Sequence, residues 1–208
     1  MSSEKDFFDE QIGSLTSLSA IYQYLKDNAG MMDADALLRS EYVLIVSTFD
    51  NYLHNIVRRK LREAFFNAQP LPSDFSLSME VCQMLRNEPI ELNQKQILDV
   101  ALRRSLEKDS FQSPKSVEYA LSLIKIKHIW KTASIATGKS AEHIKNQLAL
   151  IVKRRNQIAH ESDIDFATSS LRSISEQDVI ECRNFLRELI EVIDTQSTVY
   201  KGLHRVGI

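Results

Sequence analysis

Hydrophobic residues recur along most of this chain at spacings of three and four positions, which is the repeat of an amphipathic helix. Glycine and proline are scarce, with five and four copies in 208 residues, so long segments run without a residue that would break a helix. The long segments lack the strict alternation of apolar and polar residues that is typical of strands. The pattern therefore predicts an all-α helical bundle, formed by one domain over residues 1–208.

The most apolar segment predicts the central helix of this bundle. It runs from a cap at Asp33 or Asp35 to about Asn67 and is hydrophobic most of the way round. A helix with so wide an apolar surface belongs in the middle of a bundle, where several neighbours can cover it. Its main stripe consists of Leu38, Tyr42, Ile45, Phe49, Leu53 and Ile56.

Six other segments have helical patterns, and several carry start signals. Ser113-Pro114 places a capping serine before a proline at the first helical position, Ser140 caps the next helix, and Ser175 begins a sequence similar to a capping box. His128 lies on an apolar stripe and is predicted to be a hydrogen-bonded core residue. The tail over residues 198–208 is predicted to fray. The six helices are predicted at residues 4–28, 75–87, 93–108, 114–136, 140–160 and from 175 onward.

The composition argues against several classes of function and does not indicate a particular one. The formal net charge is −2, so the chain has no overall basic field that would attract nucleic acid, and any RNA contact must be local. Cys82 and Cys182 belong to no CxxC or Cys/His pattern, which argues against a disulfide framework or a zinc site. No signal peptide is visible, and the longest apolar run, Tyr42 to Val46, is too short for a membrane span. We expect a cytoplasmic protein that uses no metal or other cofactor and contacts no membrane.

The predicted helix that ends near residue 160 carries an arginine on its apolar face. At about 100° per residue, Arg155 falls in the same stripe as Ile144, Leu148, Ile151 and Ile158. A guanidinium keeps its proton when it is buried, so it must meet a carboxylate, a phosphate or a water-filled cleft. The alternative is that the side chain extends along the surface and leaves its charged end in solvent.

Two further polar residues accompany this arginine. Asn156 and His160 are four positions apart and therefore lie on one face of the helix, beside Arg155. The helical pattern then stops in Glu161-Ser162-Asp163. A cation, an amide and an imidazole are thus expected to converge at one helix terminus, which makes them candidate catalytic residues.

Other charged residues are candidates for supporting roles. Glu41 and Asp50 flank the stripe of the central helix, and either could be the carboxylate that faces the arginine, or a partly exposed side chain. At the far end of that helix, Arg58, Arg59 and Lys60 belong to a basic cluster. This cluster is either a solvated face or a surface that guides RNA.

The segment from Arg155 to His160 resembles the signature of HEPN domains, an arginine followed by four to six residues and a histidine, with a polar residue directly after the arginine. The flanking sequences resemble the RiboL-PSP-HEPN group in particular, and they are Lys153 through Asp163, Asp109 through Pro114, and Leu37 through Tyr52. The resemblance covers about residues 33–194. It implies a HEPN-like helical bundle that forms a twofold dimer, with both motifs facing one shared cleft.

Arginine and histidine can cleave RNA without a metal. The histidine transfers protons, the arginine stabilises charge on the phosphorane oxygens, and the 2′-hydroxyl is the nucleophile, which gives a 2′,3′-cyclic phosphate. We therefore hypothesise a metal-independent endoribonuclease in which Arg155 and His160 are catalytic and Asn156 supports them. The candidate RNA-binding residues are Lys153, Arg154, Arg58 and Arg59, and the candidate supporting carboxylates are Asp50 and Glu41.

One imidazole cannot stand on both sides of the phosphate at once, so a twofold pair of chains would supply an acid and a base. The resemblance further implies a bacterial toxin or anti-phage defence effector, with an antitoxin or a defence-system protein as a partner. Two alternatives remain open. The chain could be a non-catalytic HEPN-like module that binds RNA, a nucleotide or a protein, or a structural dimer in which Arg155 pairs with a buried carboxylate.

Overall fold

The computed structural model of the protein describes residues 2–29, 34–73 and 75–199. Within these residues the predicted all-α fold is confirmed, with eight helices and one short antiparallel hairpin. The predicted cap at Asp33 and the tail residues 200–208 lie outside the described residues. In chain order the elements are α1 (Ser3–Ala29), α2 (Asp35–Phe66), α3 (Met79–Asn87), α4 (Glu91–Leu106), α5 (Pro114–Leu123), α6 (Ile129–Thr137), α7 (Ala141–His160), β1 (Ile164–Asp165), β2 (Ser170–Leu171) and α8 (Glu176–Val199).

α2 is the central helix, as its sequence predicts. It packs against α1, α4, α5, α7 and α8. Apolar side chains occur in every turn, so neighbours on several sides meet a surface that is favourable to bury. Complete burial of one such Leu, Ile or Phe side chain contributes about 1.5–3 kcal/mol. The buried apolar residues of α2 are Leu38, Tyr42, Ile45, Val46, Phe49, Tyr52, Leu53, Ile56, Val57 and Leu61.

Three helix starts predicted from capping residues are confirmed. Ser140 Oγ accepts a hydrogen bond from the backbone N–H of His143 at 3.1 Å, which fixes the start of α7. Before α8, Ser175 Oγ accepts from the N–H of Asp178 at 3.2 Å, and the Asp178 carboxylate accepts from the N–H of Ser175 at 2.7 Å. Ser113 caps α5 in a capping box followed by proline.

The single helix predicted over residues 114–136 is wrong, because the chain breaks it into α5 and α6. Lys125 and His128 adopt left-handed backbone conformations, with φ of 63° and 59°. The break lets α5 pack on α2 and α7 while α6 packs on α7 and α8, which one straight helix would not achieve. The prediction that His128 is a core residue is also wrong, since it is exposed at the N-terminal end of α6.

A hairpin that the sequence did not predict follows α7 directly. β1 pairs antiparallel with β2, with Ile164 opposite Leu171 and Asp165 opposite Ser170. Strands of two residues are too short to produce a recognisable alternation of apolar and polar positions. The hairpin matters because it attaches to the helix end that carries the arginine and the histidine.

The described residues place few restrictions on location or redox state. No helix among them is long and apolar enough to cross a membrane. Cys82 is an exposed free thiol and Cys182 is a buried one, and burial raises the pKa of the Cys182 thiol to about 12. Within this part of the chain, no group of three or more His, Cys, Asp or Glu side chains is placed to hold a metal ion.

Candidate active site

α7 carries the arginine and the histidine of the motif at its C-terminal end. Its earlier turns are fixed to the core by Ile144, Leu148 and Ile151, which are buried. Arg155 lies one turn further along the same face and is half-buried, while His160 ends the helix and is exposed. The apolar stripe of α7 continues past Arg155 to Ile158, which packs against the core, and the exposed Asn156 and His160 lie beside the end of the stripe.

Arg155 contacts both of the other motif residues. Its Nη1 lies 3.1 Å from Asn156 Oδ1, which accepts a hydrogen bond, and 3.4 Å from His160 Nε2. The guanidinium is the donor of this pair when the lone pair of Nε2 is free. Both contacts are exposed to solvent. The cation, the amide and the imidazole therefore meet at one helix terminus.

The inner nitrogen of the same guanidinium is not satisfied. Arg155 Nε is buried and has no hydrogen-bond partner among the described residues. A buried N–H without an acceptor is unfavourable by about 1–3 kcal/mol. The hydrogen bonds that the guanidinium does make go to Asn156 and His160 rather than to a carboxylate. Among the described residues, no carboxylate therefore compensates the charge of this guanidinium.

Residues 12–198 match the sequence model of RiboL-PSP-HEPN. This chain belongs to the RiboL-PSP-HEPN family. The matched segment extends from α1 almost to the end of α8, so the whole bundle and the motif on α7 lie inside it. No curated protein and no solved structure matches the chain. The HEPN assignment agrees with the all-α architecture and suggests a nuclease or an RNA-binding function.

The HEPN signature fits two consecutive arginines, and their contacts distinguish them. Counted to His160, four residues follow Arg155 and five follow Arg154. Arg154 binds both carboxylate oxygens of Asp163, with Nη2 at 3.0 Å from Oδ2, and Nη2 also donates to the Ser173 carbonyl at 3.0 Å. Arg155 contacts the histidine instead. The first guanidinium is therefore bound by a carboxylate and a carbonyl of the protein, whereas the second makes its hydrogen bonds within the motif.

Neither carboxylate that the sequence offered as a partner for the motif arginine is bound to it. Glu41 is fully buried, is bound by Arg183 of α8, and accepts a hydrogen bond from Ser19 Oγ of α1 at 2.6 Å. Asp50 accepts a hydrogen bond at 2.6 Å from the backbone N–H of Phe111, just before α5. Both carboxylates join α2 to its neighbours in the bundle.

The candidate RNA-binding residues fall into two places. Lys153 is exposed on α7, on the face that carries the histidine. Arg58 lies 3.6 Å from Asp99 of α4, and Arg59 lies 2.8 Å from a carboxylate of α1. At 1.5 Å per residue, Arg58 is roughly 28 Å along α2 from Arg39, which contacts the segment after α7. The basic cluster is thus charge-compensated and distant from the motif.

Sequence reasoning missed the side chains that hold the end of α7. Asp163 is 1% exposed, and both Arg39 and Arg154 bind it. A charged residue just after a helix usually faces water, so its position gave no sign of burial. Arg39 comes from α2, far away in the sequence, and no spacing rule connects it to Asp163.

A cleft of about 440 Å³ lies away from the motif. It is formed by the end of α2, the segment after it and the turn after α5, and Lys60, Pro70 and Ile126 are among its lining residues. None of the residues that line it belongs to α7. Of the motif residues, Asn156 and His160 are exposed and Arg155 is half-buried.

Proposed function

We propose that this RiboL-PSP-HEPN protein is a metal-independent endoribonuclease. The observation that supports it is the 3.4 Å contact between Arg155 Nη1 and His160 Nε2 at an exposed helix end. Two groups this close can reach the same phosphodiester, the guanidinium as a charge partner for its oxygens and the imidazole as a proton carrier. The contacts of Arg155 Nη1 are exposed to solvent, so a phosphate oxygen can approach this end of the guanidinium.

The proposed reaction rearranges one phosphodiester within the RNA strand. A general base removes the proton of the 2′-hydroxyl, and O2′ forms a bond to phosphorus. The bond from phosphorus to the 5′-oxygen breaks, and a general acid protonates that oxygen. Arg155 stabilises the charge on the non-bridging oxygens, while Asn156 holds the guanidinium in place. The products are a 2′,3′-cyclic phosphate and a 5′-hydroxyl, and DNA is not cleaved because it lacks the nucleophile.

The reaction needs an acid and a base on opposite sides of the phosphate, and each chain offers one motif histidine. We propose a homodimer in which the two motifs face each other across a twofold axis. For the imidazoles to meet, the face of α7 that carries His160 must lie at the dimer interface. That face is exposed in the single chain, and its members at spacings of four, three and four are Ala149, Lys153, Asn156 and His160.

RNA binding is proposed to begin at the motif. Lys153 is the best supported contact, because it is exposed one turn before Asn156 and would meet a neighbouring phosphate. Arg58 and Arg59 would contact only a longer RNA, which would have to compete with their ion pairs. Arg154 is not proposed as an RNA contact, because it is bound to Asp163.

The test is cleavage of total RNA and of a tRNA pool by purified protein in EDTA, followed by mapping of the ends. Arg155→Ala and His160→Ala are each expected to reduce cleavage by about a hundredfold or more. Both side chains make exposed contacts, so the melting temperature should change little. Matched controls are His143→Ala, an exposed histidine at the other end of α7, and Arg103→Ala, an exposed arginine of α4, which should cleave like the wild type.

Two results would change the proposal. Equal cleavage by the wild type and both motif variants contradicts it. Binding of RNA without cyclic phosphate ends at any enzyme concentration assigns the chain instead to a non-catalytic HEPN-like module.

The proposed biological role is that of a toxin or an anti-phage defence effector, restrained by an antitoxin or a defence-system partner. The support is family membership together with an exposed candidate nuclease motif. Expression of the wild type should arrest bacterial growth while His160→Ala should not. Normal growth under both would remove this role.

A further inference from the structure

A buried aspartate lies three residues beyond His160 and has no part in the proposed reaction. Asp163 is 1% exposed, although Glu161 and Ser162 just before it are exposed. Its φ is 58°, in the left-handed region, where Asp and Asn occur more readily than other residues with a side chain. A charged group is retained in the interior only where partners compensate it.

Two guanidiniums from different helices bind this carboxylate. Arg154 of α7 binds both oxygens of Asp163, and Arg39 of α2 donates from Nε to Oδ2 at 2.7 Å. The same arginines also bind the chain that follows the hairpin, because Arg39 Nη2 donates to the Arg172 carbonyl at 2.8 Å and Arg154 Nη2 to the Ser173 carbonyl at 3.0 Å. One charge cluster therefore joins α2, the end of α7 and the segment leading to α8.

The pair formed by Arg154 and Asp163 brackets the motif. All three motif residues lie between these two positions in the chain. The backbone reinforces the bracket, because the Asp163 N–H donates to the Gln157 carbonyl at 2.9 Å, and the Arg172 N–H donates to the Asp163 carbonyl at 2.9 Å. The last turn of α7 is thereby held on both sides of the histidine.

We propose that Asp163 is a positioning residue for RNA cleavage, which fixes through Arg154 and Arg39 the helix end that carries His160. This inference rests on the proposed function. Asp163 does not touch RNA, since guanidiniums occupy its oxygens and it is closed to solvent. Proton transfer needs the imidazole in place, and a displacement of about 1 Å can reduce a rate by about 10²-fold.

The test compares Asp163→Asn with Asp194→Asn. Asparagine keeps the shape and tolerates a positive φ, so the first change removes mainly the charge. We expect kcat to fall by about 10- to 100-fold, with KM for RNA within about twofold. Asp194 is a matched control in α8, 3% exposed and bound by the Ser2 N–H at 3.2 Å and by Tyr52 Oη at 3.4 Å. Its variant should keep kcat per folded molecule.

A second variant covers the case in which Asp163→Asn does not fold. Arg39→Met removes one guanidinium and leaves the pair of Arg154 with Asp163, so one charge still balances the other. It should lower kcat less than Asp163→Asn does, again at nearly constant KM. A folded Arg39→Met protein with wild-type kcat would speak against the role of α2 in holding this helix end and would overturn the proposal.

Amide hydrogen exchange over residues 157–165 gives a readout that does not depend on cleavage. Protection should fall in Asp163→Asn and stay unchanged in Asp194→Asn. Equal kcat in the wild type and Asp163→Asn, or an equal fall in both variants, overturns the proposal. If the wild type shows no cleavage that depends on His160, the proposed function fails, and exchange then decides whether Asp163 fixes the helix end. Unchanged protection in that case overturns the inference separately.

Discussion

At the scale of single residues, buried carboxylates are compensated by ion pairs or by hydrogen bonds. Glu41 is bound by Arg183 and Ser19, Asp163 is bound by two arginines, and Asp194 is bound by Ser2. Each is 3% exposed or less. An ion pair in the interior loses its hydration, so the pair adds little net stability. Removing one partner nevertheless lowers stability strongly, because the other charge is left buried without compensation.

Glu41→Ala is therefore expected to lower the free energy of unfolding by about 3–5 kcal/mol, because it leaves the Arg183 guanidinium buried without its carboxylate. Urea denaturation of the purified variant measures this. Glu10→Ala, at an exposed position of α1, is the matched control and should change stability by no more than about 0.5 kcal/mol. Equal losses in the two variants would contradict the buried pair.

Local spacing predicts which residues share a helix face, and it does not predict their partners on other helices. Arg155, Asn156 and His160 meet as expected because all three belong to two turns of α7. The partners of Glu41 and Asp50 come from α8, α1 and the segment before α5. Their identity depends on how the helices cross, which the periodicity of one helix does not contain.

At the scale of secondary-structure elements, the sequence shows where a helix starts more clearly than whether it continues without a break. Ser113, Ser140 and Ser175 each act through their own side chain within three residues, so the sequence displays the cap directly. The break between α5 and α6 has no such signal. Ile126 before the break and Ile129 after it keep the helical spacing, and both are buried. The apolar pattern in the sequence therefore looks unbroken.

His128→Gly should raise the free energy of unfolding by up to about 1 kcal/mol, because the left-handed conformation at this exposed position is unfavourable for a residue with a Cβ. Lys131→Gly, three residues later inside α6, is the matched change and should lower the free energy of unfolding by about 0.7–1 kcal/mol. Thermal unfolding of both variants shows whether each substitution raises or lowers the stability. A loss at both positions would contradict a left-handed residue at the start of α6.

The proposed active site depends on assembly at the scale of the whole molecule. The bundle buries one face of the first turns of α7 and leaves Asn156 and His160 exposed, while the 440 Å³ cleft lies elsewhere. Family membership and the all-α fold could be inferred from sequence, because both depend on local patterns spread along the chain. The twofold dimer stays a prediction, because it depends on how the surfaces of two folded chains fit together.

Ala149→Arg should convert the proposed dimer into a monomer and remove RNA cleavage, because it places a long charged side chain on the α7 face that carries His160. Sedimentation velocity measures the mass, and the cleavage assay measures activity. Ala20→Arg makes the same change on an exposed part of α1 and should keep both dimer and activity. A wild-type monomer that cleaves RNA in a His160-dependent way would contradict a composite site.

Although Arg154 and Arg155 are adjacent in the chain, the first is not expected to replace the second. Arg154 binds Asp163 and the Ser173 carbonyl, so it would have to leave the buried carboxylate in order to turn to the histidine. In the proposed nuclease, a substitution of Arg154 would therefore affect the loop after α7, and a substitution of Arg155 would affect the chemistry. An alignment that is shifted by one position would assign the proposed catalytic role to Arg154, which binds Asp163, instead of to Arg155.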